Sequence, residues 1–168
     1  MNPNEVTIDT NVFEHIFNPQ QNTNNHIDSL LGCLAAKRVV LCMDDNNRIG
    51  DEYKHRLTPL LKAMSDQGQR LNLLRYFLVF AGRHLIPVDF SDALMKCIKM
   101  AISSTSPIAE ASDRVFVYVA IASDTVLVSN NPRHINNRAS QLKRCAKAYG
   151  SKGVDFVDSQ QALVTFGC

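Results

Sequence analysis

Three acids stand where carboxylates could act together on a ligand. Asp9 closes the apolar start of "VTIDTNVF", Glu52 lies in "DEYKHRL", and Asp113 lies in "SDRVFVYVAIAS". A fourth polar stretch, "VSNN", ends on Asn131. Carboxylates gathered in one cleft repel one another and need either protons or a cation. Hard oxygen donors suit Mg²⁺ or Mn²⁺, which keep several waters and take few carboxylates from the protein. Such ions lower the pKa of bound water, and a pair about 3.5–4 Å apart stabilises the attacking and leaving oxygens of a phosphodiester. Each acid also has a structural reading. Asp is a strong N-cap, the Asp51–Glu52 pair suits a helix N-terminus, with Asp51 the better cap, and "SNNP" reads as a turn.

The acids matter only if the fold gathers them. Val6 to Asp9 reads as a first strand, and Thr10 to Phe17 as a helical segment with Val12, Phe13, Ile16 and Phe17 on one face. The Asn/Gln-rich residues 18 to 26 read as a loop. Ile27 to Lys37 has apolar residues at helical spacing. "RVVLCMDD" is nearly all apolar and reads as a central strand buried on both faces. Asp44 and Asp45 read as turn residues leading into "NNRIGD", where Gly50 marks a turn and Asp51 opens a helix. "RLNLLRYFLVFAG" looks like a buried helix ending at Gly82. "HLIPVDF" is a loop or edge strand because of Pro87, and "FSDALMKCIKMAI" is a helix capped by Ser91. "SSTSP" breaks the chain. "ASDRVFVYVAIAS" has the β-branched content of a strand and the length of a helix. "TVLVSNN" is a strand, Asn137 to Tyr149 a basic helix stopped by Gly150, "GVDFV" a last strand and "SQQAL" a last helical turn. Strands separated by helices predict a three-layer α/β/α fold with a mainly parallel sheet of four to five strands. Ligands of such sheets bind beyond the carboxyl ends of the strands. Asp9, Asp44, Asp45, Ser129, Asn130 and Asn131 all follow strands at that edge.

The 168 residues, 45% apolar and 20% charged, describe a single soluble domain, residues 1–168. No uncharged run approaches a membrane span, and "MNPNEVT" is no secretory signal. Cys33, Cys42, Cys97, Cys145 and Cys168 form no C-x-x-C pair. They read as buried thiols in a reducing cytoplasm rather than a zinc site or a disulfide framework. The net charge is +2, but residues 133 to 152 hold six basic side chains and no acid. That stretch faces either solvent or an anionic partner. The five histidines share no ligand spacing, and neither a Gly-rich phosphate loop nor a nucleophile elbow is present.

"TIDTNVF", "DEYKHRL", "SDRVFVYVAIASDTVLVSNNPRHI" and "VDFVDSQQAL" resemble, in order, the motifs of PIN-domain nucleases. The resemblance covers most of the chain, with residues 66–106 a variable helical segment. It implies a PIN-like fold and Mg²⁺- or Mn²⁺-dependent hydrolysis of single-stranded RNA by a metal-activated water. The family includes toxins of toxin–antitoxin pairs, so an antitoxin protein and a homodimer are implied partners; the cytoplasm and the lack of a membrane partner are expected from the cysteines and the hydropathy above. Asp9, Glu52 and Asp113 match the core catalytic and metal-binding acids. Asn131 stands where a fourth Asp is usual, keeping an oxygen donor without its charge. Asn11 matches the residue that orients the first carboxylate, and Ser129 adds a hydroxyl. Arg133, His134 and Arg138 are expected to hold RNA phosphates. The missing charge at Asn131 leaves a second expectation, a catalytically silent PIN-like module that binds RNA or a protein.

Overall fold

The structure is a computed structural model that describes residues 4–17, 26–63, 82–102 and 109–168. Five parallel strands form one sheet: β1 (Glu5–Ile8), β2 (Val40–Asp44), β3 (Arg83–Ile86), β4 (Val126–Val128) and β5 (Asp155–Val157), in the order β3-β2-β1-β4-β5. The helices are α1 (Thr10–Glu14), continued by a 3₁₀ turn at His15–Phe17, α2 (His26–Ala36), α3 (Arg48–Ala63), α4 (Ala93–Ala101), α5 (Ala109–Ala122), α6 (Ala139–Tyr149), preceded by a 3₁₀ turn at Asn136–Arg138, and α7 (Ser159–Phe166). Parallel strands need crossovers, and helices supply them. The result is the expected three-layer α/β/α fold. No helix among the described residues is long and apolar enough to cross a membrane.

The strand order carries the functional consequence. From β1 the chain builds outward through β2 to β3, then returns to place β4 on the other side of β1. The order therefore reverses between β1 and β4, where crossover connections diverge and leave a crevice. Val6 pairs with Val126 and Ile8 with Val128, so Asp9 and Ser129, each one residue further on, emerge side by side at the switch point. The Asp9 N–H donates to the Val128 carbonyl at 2.9 Å and extends the ladder to that edge.

Burial resolves the ambiguity of "ASDRVFVYVAIAS". Val115 to Ile121 are all buried, an unbroken run that a strand of this sheet, three to five residues long, could not supply. The segment is a helix apolar all round because it is covered all round, and packing overrides β-propensity. The edge position of β3 agrees with its Pro87 boundary, and Gly150 ends α6 in the left-handed conformation at φ 98°.

Several local expectations are corrected. The helix expected to open at Asp51 begins at Arg48, because Asp44 rather than Asp51 caps it. Asp44 Oδ2 accepts from the Arg48 N–H and Oδ1 from the Ile49 N–H, both at 2.8 Å. Gly50 is thus a helical residue. A Cβ there would lie 2.3 Å from Asn47 Oδ1 and 3.2 Å from Met43 Cε, which accounts for glycine at this close approach. α4 is capped by Asp92, which accepts from the Met95 N–H at 2.8 Å, while Ser91 bonds to Asp89. α7 runs beyond a single turn, from an Asp158 cap to Gly167. α5 begins at Ala109, one turn before Asp113. The loop expected over 18–26, the helix expected over 70–82 and the break at 103–107 lie outside the described residues, apart from His26, which opens α2, and Gly82, which leads into β3. The segment 66–106 is described over 82–102 only, where it holds β3 and α4.

The cysteines are the largest departure. Cys33 is bonded to Cys168, tying α2 to the chain two residues beyond α7, and Cys97 to Cys145, tying α4 to α6. Cys42 alone is a free, buried thiol. Pairs 135 and 48 residues apart leave no local trace in a sequence. Such bonds persist in oxidising surroundings, so the pairing removes the cysteine-based argument for a reducing cytoplasm.

Candidate functional site

A cleft of ≈ 750 Å³ opens at the switch point, lined by Asp9, Thr10, Asn11, Glu14, Asp51, Glu52, His55, Arg56, Ser112, Asp113, Asn131 and His134. β1 delivers Asp9, α3 delivers Glu52, α5 delivers Asp113 and the β4 turn delivers Asn131. The three acids foreseen from sequence therefore share one cavity.

Asp9 is 3% exposed. It caps α1 through Oδ1, which accepts from the Asn11 N–H at 3.3 Å. Its other oxygen, Oδ2, accepts from Asn11 Nδ2 and from the Ser129 hydroxyl, each at 2.7 Å. Asn11 cannot turn its amide over, because Asn11 Oδ1 accepts from the Asn130 N–H at 2.9 Å. The Ser129 hydroxyl in turn accepts from the Asn131 N–H at 3.1 Å. Asn11 and Ser129 thus fix Oδ2 from both sides and leave Oδ1 with one long bond. Burial drives the Asp9 carboxyl up to about 7; the Ser129 bond works against that, and the charges of Asp113 and Glu52 add to it.

Glu52 stands in the second turn of α3 and accepts from the Thr10 hydroxyl at 3.1 Å. Burial raises its carboxyl as well, opposed by hydrogen bonds from Ser112 and Thr10. The neighbouring Tyr53 donates its hydroxyl to the Ile8 carbonyl, just before Asp9, and its ring packs edge-on against Phe13 at 5.3 Å. The β1–α1 junction that presents Asp9 is therefore held from below.

Asp113 lies on the opposite wall against His134, whose Nδ1 is 2.6 Å from Asp113 Oδ2. The contact requires a proton on either the imidazole Nδ1 or the carboxyl. His134 Nε2 is buried with no hydrogen-bond partner. Asn131 completes this wall. Its Oδ1 accepts from the His134 N–H at 3.1 Å, which turns its Nδ2 toward both Asp113 oxygens at 3.4 Å. The amide thus meets Asp113 as a donor, and the oxygen expected as a ligand is already engaged.

Arg133 and Arg138, foreseen as phosphate contacts, are exposed but line no part of the cleft. His134 faces Asp113 inside it. Four basic or hydroxyl-bearing residues at the cleft, Thr10, His55, Arg56 and Ser112, carry no signal in the sequence by themselves. His55 and Arg56 fall three and four residues after Glu52 on one face of α3, a spacing that identifies them once Glu52 is chosen. Arg56 pairs with Glu14 of α1 at 2.7 Å across the cleft mouth. Thr10 follows Asp9 directly. Asn130 reads in the sequence only as a strand-end residue, yet it joins three elements: its Oδ1 accepts from the Ser159 N–H at 3.0 Å, and its Nδ2 lies 3.0 Å from His15 Nδ1.

The donor set fits a hard divalent cation: oxygen ligands, a buried carboxylate whose ionisation burial opposes, and two further acids that raise it. The spacing is open. Among the described residues, the one group of three ligating side chains with donor atoms within 4.8 Å of one another lies elsewhere, at Glu5, Cys42 and His84. An ion that keeps part of its water shell suits the wider spacing of the cleft. No family model, curated protein or solved structure matches the chain.

Proposed function

We propose that the protein is a PIN-like, Mg²⁺- or Mn²⁺-dependent endoribonuclease that hydrolyses single-stranded RNA. The observation that carries this reading is Asp9: a buried carboxylate at the sheet switch point, oriented by Asn11 and Ser129, in one cleft with Glu52 and Asp113. Asp9, Asp113 and Glu52 would hold the metal, directly or through water. A bound Mg²⁺ or Mn²⁺ supplies a water of lowered pKa and neutralises charge on the phosphodiester.

The chain's own residues do the rest. Asn11 and Ser129 hold Asp9 Oδ2, so the carboxylate cannot rotate and Oδ1 is the oxygen less committed to the protein. His134 and Asn131 do the same for Asp113. Arg56 brings positive charge to the cleft and His55 an imidazole ring, the groups that would meet a phosphate backbone there. Contacts of this kind grip backbone and leave base sequence unread.

The alternative is a catalytically silent module that binds RNA or a protein partner. Asn131 favours it, since its amide offers donors to Asp113 where a fourth carboxylate would add charge for a metal. One experiment separates the two: incubation of the pure protein with single-stranded RNA, with Mn²⁺ and with chelator. Cleavage that needs Mn²⁺ and disappears in Asp9→Asn supports the enzyme. RNA binding without cleavage at any Mn²⁺ concentration supports the silent module.

A further inference from the structure

Away from the cleft, Glu5, Cys42 and His84 form the tightest group of potential ligands among the described residues. They sit on three adjacent strands. Cys42 of β2 is the register partner of His84 of β3, and Glu5 of β1 is the partner of Val40, two residues before Cys42. A strand's side chains alternate with period two, so Val40 and Cys42 point to one face, and neighbouring strands are about 4.8 Å apart. The pairing therefore places Glu5, Cys42 and His84 on the same face of the sheet. One donor atom from each lies within 4.8 Å of the others. His84 Nδ1 already lies 3.0 Å from Glu5 Oε1.

We propose that Glu5, Cys42 and His84 bind a thiophilic divalent cation of the Zn²⁺ class. The donor set is one sulfur, one imidazole nitrogen and one carboxylate oxygen, the borderline-soft mixture that Zn²⁺ and Co²⁺ select and Mg²⁺ does not. A thiolate and a carboxylate together match a dication's charge. Tetrahedral ligands at about 2.0–2.3 Å from zinc are roughly 3.5 Å from one another, so small side-chain adjustments close the present group around an ion. The His84 side chain is 49% exposed and that of Glu5 18%, which leaves an approach path and room for water as a fourth ligand. Cys42 lies beneath them, fully buried, and burial pushes its thiol up to about 12. A cation reverses that preference by replacing the thiol proton. The consequence is mechanical: β3 is an edge strand bonded to β2 alone, and the ion would tie it to β1 across β2.

Cys42 is the sole free thiol, which makes the test specific. Co²⁺ is titrated into the full-length, unreduced protein and the absorption spectrum recorded, with a free-thiol count to verify that both disulfides remain closed. The expected result is a thiolate-to-cobalt charge-transfer band in the near ultraviolet with the visible bands of tetrahedral Co²⁺. The band is lost in Cys42→Ser. Binding weakens by more than roughly tenfold in His84→Ala, an exposed edge change that leaves the core untouched. In Asp9→Asn, which disables the cleft, the band persists. Zn²⁺ is expected to raise the melting temperature of the wild type and not of His84→Ala. A wild-type spectrum without the charge-transfer band, or a titration unchanged by His84→Ala, overturns the proposal.

Discussion

Asp9 follows β1 and Asp44 ends the neighbouring parallel strand β2; they are 3% and 1% exposed, and each caps the helix that comes next. Their surroundings differ in one respect. Asp44 spends both oxygens on backbone N–H groups at 2.8 Å, so its negative charge is used up by the N-terminus of α3. Asp9 receives one backbone N–H, at 3.3 Å, and is otherwise held by side chains from α1 and from the β4 turn. It also faces two other acids, Glu52 and Asp113, across a cleft. A carboxylate satisfied by backbone is a structural cap. A carboxylate oriented by side chains and opposed by like charge has ligand capacity left over. Topology makes the difference: β4 lies beside β1, so a second strand end reaches Asp9, whereas β2's other neighbour is the edge strand β3.

The sharpest way to break the contrast is to neutralise Asp9. Asp9→Asn is expected to lower Mn²⁺-dependent RNA cleavage by more than roughly 100-fold, beyond the ~10–100-fold typical of partners that merely orient a ligand. Ser129→Ala and Asn11→Ala should fall within that lesser range, measured as kcat with single-stranded RNA. If Asp44→Ala cost as much activity at unchanged stability, the distinction would be wrong.

The next effect is on stability. The folded protein raises the Asp9 carboxyl from 3.8 to about 7. Between those values the folded state holds a proton that the unfolded state has released, so metal-free stability is fully present below 3.8 and declines as pH rises. The slope is up to about 1.4 kcal/mol per pH unit, and it flattens above about 7. Urea titrations across this window should show the decline in the wild type. It should be shallower in Asp9→Asn, where the raised Glu52 carboxyl still contributes in the same direction, and Mn²⁺ should reduce it.

Asp44→Ala tests the other member of the pair. Loss of the cap leaves the N–H groups of Arg48 and Ile49 without their acceptor, and we expect a destabilisation of about 2 kcal/mol. Calorimetric Mn²⁺ affinity should be unchanged.

The smallest expected effect comes from Asn131→Asp. A carboxylate here would face Asp113 where an amide now donates. The metal-free fold should lose about 1 kcal/mol to like-charge repulsion in a water-filled cleft. Mn²⁺ affinity should gain roughly tenfold from the added ligand charge. A rise in cleavage rate in this variant would identify Asn131 as a brake on an active site. An unchanged affinity would mean that the metal does not reach this wall.

Residue patterns predicted the parallel α/β architecture, an interior β2 and a β3 segment that was either a loop or an edge strand, and the resemblance to PIN-domain motifs in order singled out Asp9, Glu52 and Asp113. These are legible because hydrophobic periodicity, strand-end polarity and short motifs are local properties of the chain. The identity of "ASDRVFVYVAIAS" as helix was legible only from its length, its Ala content and the helix-opening Asp113, since total burial erases the amphipathic signal. The turn after Asp44 was legible but its capping role was not, because a capping side chain and a turn side chain are the same residue until the N–H groups it meets are known. Only the tertiary structure could decide the two disulfides, the His134–Asp113 contact and the donor orientation of Asn131, because each depends on atoms brought together from distant points of the chain. The same holds for Glu5, Cys42 and His84, which strand register alone assembles on one face. The sequence determined which residues can bear charge, donate or ligate. Strand order determined which of them meet, because in a parallel sheet the neighbours of a strand are set by crossovers and not by position along the chain.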